Sequence, residues 1–319
     1  MGESVISSIP RVSATLNALY YGFYVEGLRR AFGRVGWMRP PMAEAKPGLA
    51  FVVGDRRVYI CAEDSPSIDP EALDWCDVYA KVNARTPLPA KVLAIGPSFG
   101  VTAWNRPRSV AAAMSSIAFR SQRRPLDNVA DLRRQVRYRL PERALVPGVT
   151  DPARVFFAGT IWRREAATNQ ARAAFLRAVR ARPELHLEGG FAPRSDDLDH
   201  DFDDLIAPRV DYPAYVEATR RSAFVFNTPA VLDCHGWKLG EFLALGKAII
   251  STPLVNEMPA PFVAGTHFHP ADPTPVALDA AIDDLAEPAY RQHLERNARR
   301  YYDEYLTPEA VIRRIIGRA

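Results

Sequence analysis

The chain has 319 residues, 48% of them apolar and 24% charged, which places it among folded globular proteins and gives it the length of two ordinary domains. Its net charge is +4, and nearly all the basicity is arginine, since lysine stands only at 46, 81, 91, 238 and 247. Such a bias does not call for nucleic acid; it suits a phosphorylated substrate or an anionic membrane face equally. Three cysteines without a CxxC pair exclude a disulfide framework and a cysteine-based zinc site.

The start, "MGESVISSIPRV", has no basic n-region and apolar h-region, and no apolar run reaches the ~18 residues of a membrane helix. Ile6 stands where a myristoylation signal needs Ser or Thr. The expectation is a cytoplasmic protein, peripheral at most to the inner face of the membrane. Residues 4–9 read as a short strand and 13–33 as a helix with Leu16, Leu19, Tyr20, Phe23 and Leu28 on its apolar face. "GLAFVVG" and "RVYICAED" read as buried strands, "DPEALDWC" as a helix, and "DVYAKVN" and "KVLAIGPSFG" as further strands.

The segment 104–150 is arginine-rich and broken by prolines, and reads as a surface helix leading into a linker. From 154 a second series runs: strand "RVFFAG", helix 165–182, strand "LHLEGG", an acidic loop at 192–208, helix 212–222, strand "AFVFNT", helix 237–246, strand "KAIIST", then closing helices from about 274. Strands alternating with helices in both halves predict two open α/β sheets in tandem, with a boundary near 150.

The richest stretch is 224–252, "FVFNTPAVLDCHGWKLGEFLALGKAIIST". Leu239, Phe242 and Leu243 share one helical face, while Trp237, Lys238 and Glu241 lie off it, which predicts Glu241 outward in the first turn. Gly236 permits tight entry, and the first-turn N–H groups attract an anion such as phosphate. In an open α/β sheet such a helix start lies at the carboxyl edge of the strands, where ligands bind. Helix-dipole stabilisation alone accounts for Glu241, at ~0.3–1 kcal/mol. It does not account for Asp233 in the loop before it.

Asp233 and Glu241, followed by "FLALGKAIIS", form a D-x7-E pattern that resembles the E-x7-E region of retaining nucleotide-sugar glycosyltransferases of the GT-B architecture. The resemblance covers the order of elements across 154–319 and the closing "RNARRYYDEYLTPEAVIRRII". It implies two Rossmann-like domains facing across a cleft. Residues 1–150 would form the acceptor domain with its linker and 151–319 the donor domain, whose last helix packs back on the first. It implies that Asp233 contacts the donor sugar, Glu241 the nucleotide ribose, and the helix start the diphosphate. Asp233 is one methylene shorter than the family's first Glu.

Around this core, Arg163 and Arg164 of "GTIWRRE", with Thr160, are candidates for the diphosphate, since a guanidinium binds phosphate oxygens bidentately; the alternative is a solvated arginine pair. Lys238 is a second point charge for the same group, or an i,i+3 partner of Glu241. His235 is a candidate donor to sugar or phosphate. Cys234 beside it does not make a nucleophile–base pair, because adjacent residues seldom face each other. His267 and His269 alternate as an HxH but bring no third ligand, and no metal site is expected. In the first half Asp64, Asn17, Tyr20 and Tyr21 are candidates for acceptor hydroxyls, against simple turn and cap roles. Glu63, Asp69, Asp74, Asp77 and Lys81 surround Asp64 in sequence. Arg120, Arg123, Arg124, Arg133 and Arg134 read as a solvated helical face, with an anionic acceptor or membrane as the alternative.

The sequence therefore predicts a metal-independent, retaining glycosyltransferase. It would use a nucleotide diphosphate sugar, UDP- or GDP-linked, as donor, and a glycan, lipid-linked glycan or small molecule as acceptor, with no cofactor. The alternatives are a non-catalytic nucleotide-sugar or glycan-binding protein and a nucleotide-sugar epimerase of the same fold.

Overall fold

The computed structural model describes residues 8–15, 17–42, 44, 46–104, 110–111, 113–114, 121, 123–196 and 198–317. Most of the strand expected at 4–9, together with Leu16 and Arg120, falls outside these residues. The chain divides into two compact units: residues 1–144 with 256–260 and 304–319, and residues 145–255 with 261–303.

Unit 1 carries a six-stranded sheet in the order β2-β1-β3-β4-β5-β6. Its strands are β1 (Arg11–Ser13), β2 (Gly36–Met38), β3 (Leu49–Val53), β4 (Arg56–Cys61), β5 (Val78–Lys81) and β6 (Val92–Ala94). The sheet is mixed: β3 pairs antiparallel with β1 and β4, whereas β4, β5 and β6 run parallel. The β3–β4 reversal is local, since Gly54, at φ 58°, opens a two-residue turn that sets Val53 opposite Arg56. Helix α1 (Ala18–Phe32) is capped by Asn17, whose Oδ1 accepts from the N–H groups of Leu19 and Tyr20. It buries Tyr21, Phe23, Tyr24 and Leu28. Helices α2 (Pro70–Trp75) and α3 (Pro125–Tyr138) follow, each with proline in its first turn, where a missing N–H costs nothing.

Unit 2 is wholly parallel. Strand β7 (Arg154–Gly159) pairs with β8 (His186–Phe191), and β10 (Ile249–Ser251) lies between β9 (Val225–Asn227) and β11 (His269–Pro270). Helices α4 (Ala166–Arg180), α5 (Tyr212–Arg221), α6 (Trp237–Ala244), α7 (Pro275–Ala286) and α8 (Pro288–Tyr301) connect and cover these strands. The core is aromatic: Phe157, Phe175, Phe191, Phe224 and Phe226 are buried together, with Phe175 stacked on Phe226 at 4.5 Å between centroids. The last helix, α9 (Pro308–Gly317), belongs to unit 1 and packs on α1. The approach is close at Gly27, where a Cβ would meet the carbonyl of Pro308 and the Ile312 side chain. Both units are α/β, as the alternation of strands and helices predicts.

Candidate functional site

The site in unit 2 is built where β7 and β9 end and α6 begins. The α6 N-cap, Gly236, supplies no side-chain acceptor to the helix start. Gly236 has φ −69° and ψ 154°, a conformation any residue adopts, and a Cβ there would make only an ordinary 3.6 Å contact with Ala230. Tight entry is therefore not what the glycine provides. It brings no side chain to the first turn, where the Leu239 N–H donates to the Gly236 carbonyl at 3.1 Å.

Lys238, in that first turn, bends inward. Its ammonium donates to the Ala158 carbonyl and lies 4.8 Å from the centre of the Phe157 ring, and a Cβ on Gly159 would stand 3.8 Å from its Nζ. Desolvation, reinforced by the positive charge of Arg172 and opposed by Glu241, pushes its pKa down to about 7. Arg172 is buried on α4, where its Nε donates to Thr228 Oγ1 at 3.0 Å and its Nη1 to the Thr160 carbonyl at 3.2 Å. Burial lowers its pKa to about 10 against the opposing pull of Glu165. Burial thus disfavours the charge of both cations at the carboxyl edge of the parallel strands, and Arg172 adds to the effect on Lys238. An anion placed there relieves both.

Glu241 is not outward. It is buried, with Oε1 accepting from Tyr212 at 2.8 Å and Oε2 from Tyr215 at 2.9 Å. Both tyrosines come from α5, and α6 is buried from Leu239 to Ala244. Burial, and after it the Glu241 carboxylate, raise the Tyr215 pKa well above its ordinary value. Asp233 is exposed at the end of the short turn Val231–Asp233, and both Leu232 (φ 56°) and Asp233 (φ 57°) occupy the left-handed region. The Leu232 N–H donates to Glu165 Oε1 at 3.3 Å, tying this strained loop to the start of α4. Cys234 and His235 are buried next to it.

The other candidates divide. Arg163 is exposed and paired with Asp196 at 2.9 Å, and Arg164 is exposed. Thr160 takes part through its carbonyl, which Arg172 binds. The guanidinium beside the helix start is therefore Arg172, which the sequence reading passed over. Its signal was present: Arg172, Phe175, Leu176 and Val179 follow helical spacing on one buried stripe, so the arginine belongs to the core face. His267 stacks on Phe262 and accepts from the Val263 N–H, whereas His269 bonds Tyr290. Among the described residues no three His, Cys, Asp or Glu side chains gather as a metal-ligand set.

In unit 1, Asn17, Tyr20, Tyr21 and Asp64 line one hollow of about 390 Å³ together with Thr15, Lys46, Glu63 and Arg123. Burial and the neighbouring Asp64 raise the Glu63 carboxyl pKa. Lys81 lies behind, fully buried, donating to Cys61 Sγ at 3.2 Å and the Ser65 carbonyl at 2.8 Å.

No family model matches the chain, and no curated protein matches it. Among solved structures it is similar to sucrose-phosphate synthase from Thermosynechococcus elongatus, at 16% identity and TM-score 0.43 over 90% of this chain and 88% of that one. It is also similar to a glycosyltransferase from Rickettsia africae, at 9% identity and TM-score 0.43 over 94% and 82%. A third likeness is to the Anabaena protein HepE in complex with UDP and glucose, at 11% identity and TM-score 0.45 over 82% and 70%. At such scores the chemistry of the site is read from its own residues.

Proposed function

We propose that the protein is a glycosyltransferase of the GT-B type that moves a sugar from a nucleotide diphosphate sugar to an acceptor hydroxyl. The observation that carries this reading is the pair of Arg172, buried, and Lys238, half-buried, at the start of α6, with Asp233 and Glu241 at the two ends of the same segment. A diphosphate answers two adjacent cations and a helix start better than a neutral ligand does.

In this reading the diphosphate lies across Gly236, Lys238 and Arg172. Glu241 accepts from the ribose hydroxyls in exchange for the Tyr212 hydroxyl, and Asp233 accepts from the sugar, with His235 as a donor nearby. The bond from the anomeric carbon to the diphosphate oxygen breaks while the acceptor oxygen bonds to that carbon. The acceptor proton passes to the departing diphosphate on the same face, which gives retention without an enzymic nucleophile. Lys238, Arg172 and the helix start stabilise the charge that grows on the leaving group, so the reaction needs no metal for that purpose. An acceptor rich in hydroxyls is assigned to the unit 1 hollow, where Asp64 and Glu63 supply acceptors and Tyr20 an exposed ring.

Incubation with a panel of UDP-, GDP-, dTDP- and CMP-linked sugars, with free nucleotide as the readout, tests the proposal. Release from a diphosphate-linked donor, abolished in Arg172→Met/Lys238→Met, is the expected result. Neither release nor a thermal shift with any nucleotide overturns it, and recovery of an epimerised donor replaces it with the epimerase reading.

A further inference from the structure

Helix α3 is inside out. A surface helix ordinarily buries its apolar stripe and shows water its polar one. The buried face of α3 instead carries Asn128, Asp131 and Gln135, with Leu132 as its apolar member. These polar groups are paired within unit 1, with the Gln135 Nε2 as the exception. Gln135 Oε1 accepts from the N–H groups of Ala103 and Trp104, Asp131 pairs with Arg123 at 2.8 Å, and Asn128 bonds Ser121. The helix end is tied down as well, since the Thr102 hydroxyl donates to the carbonyls of Gln135 and Arg139. The docking is thus specific, and the apolar side chains are left outside. Leu126 is 82% exposed, Val129 43%, Val136 45% and Tyr138 54%.

Leu126, Val129, Arg133, Val136 and Arg137 follow i, i+3, i+7, i+10, i+11 spacing and therefore share one outward stripe. Arginines edge it and lie within it: Arg124, Arg133, Arg134 and Arg137 are exposed, against a single exposed carboxylate on the helix, Asp127. Arg137 also lies over the Tyr138 ring, 5.5 Å from its centre. Aliphatic side chains of modest size interleaved with arginines, and an aromatic ring at the end, match the boundary between acyl chains and charged headgroups. The arginine excess selects among partners, because it complements an anionic surface.

We propose that the outer stripe of α3 is a docking surface for an anionic lipid bilayer, lying in the headgroup plane without crossing it. Among the described residues no helix is long and apolar enough to span a membrane, so this attachment is peripheral and reversible. It requires no nucleotide and is independent of the donor site in unit 2.

The test is co-sedimentation of the full chain with vesicles of phosphatidylcholine alone and of phosphatidylcholine with phosphatidylglycerol. Binding to the anionic vesicles only, weakening as salt is raised, is expected. Leu126→Ser/Val129→Ser/Val136→Ser should abolish it, and Arg133→Gln/Arg137→Gln should weaken it about thirtyfold, both with an unchanged thermal midpoint because the altered residues are exposed. Absence of binding by the unaltered chain overturns the proposal, as does undiminished binding by the serine variant. A dimer in lipid-free buffer that the serine variant disperses, without vesicle binding, reassigns the stripe to a second copy of the chain.

Discussion

The pKa of Lys238 makes donor binding a proton-uptake reaction. In the free protein the ammonium titrates near 7, because it is desolvated beside Arg172. A bound diphosphate supplies the missing counter-charge and returns the group toward its ordinary 10.5. The depressed free-state pKa means that above neutrality Lys238 is mostly neutral in the unliganded protein and charged in the liganded one. Affinity is therefore full below the free pKa and declines between the free and bound values. The decline approaches tenfold per pH unit, so from about pH 7 to about pH 9 it totals about fiftyfold. Calorimetric titration with the tightest-binding nucleotide sugar, in buffers of different ionisation enthalpy, should show uptake of about half a proton at pH 7, rising toward one at higher pH. A diphosphate diester is the right ligand, since it does not itself titrate in this interval. In Lys238→Met both the slope and the uptake should vanish. A flat profile in the unaltered protein, or an equal slope in the variant, refutes the assignment of Lys238 to the diphosphate.

Glu241→Ala should weaken nucleotide binding, whereas Asp233→Ala should mainly lower turnover, as read by direct titration and initial rates; equal affinity in the first variant removes the ribose contact. Leu232→Gly should raise the unfolding free energy by about 1 kcal/mol, since an exposed leucine at φ 56° bears a left-handed strain that glycine lacks, and a lower thermal midpoint would contradict that backbone. Gly27→Ala should destabilise by about 1–3 kcal/mol despite the better helix propensity of alanine, because the new Cβ meets the Pro308 backbone; an unchanged midpoint would show that α9 can give way.

The alternation of apolar runs reported the α/β layers and most element positions, with "RVFFAG" forming β7 at its expected residues. The antiparallel β3–β4 pair, joined through Gly54 and Asp55, is a local reversal that the alternation of strands and helices does not specify. Periodicity misplaced Glu241 because one amphipathic face describes a helix covered on one side. Here Tyr212 and Tyr215 of α5 reach Glu241 from outside that face, and a 29-residue separation between Tyr212 and Glu241 is invisible to local pattern. The inward bend of Lys238 was hidden for a related reason, since a first-turn lysine normally reaches for water and nothing nearby in sequence announces the carbonyl of Ala158. Arg172 was legible in principle as a charge on a core stripe. The two arginines of "IWRRE" drew notice from it because they stand closer to the strand end.

The segment 304–319 belongs to unit 1, although all of unit 2 precedes it in the chain. During synthesis, α1 must therefore wait for α9 while the residues of unit 2 emerge and can close around their own aromatic core. Domains commonly fold in the order in which they leave the ribosome. In this chain the later unit has the means to finish first, and Gly27 stays uncovered until the final helix arrives. A premature stop near 303 would consequently damage the amino-terminal unit and spare the one just made.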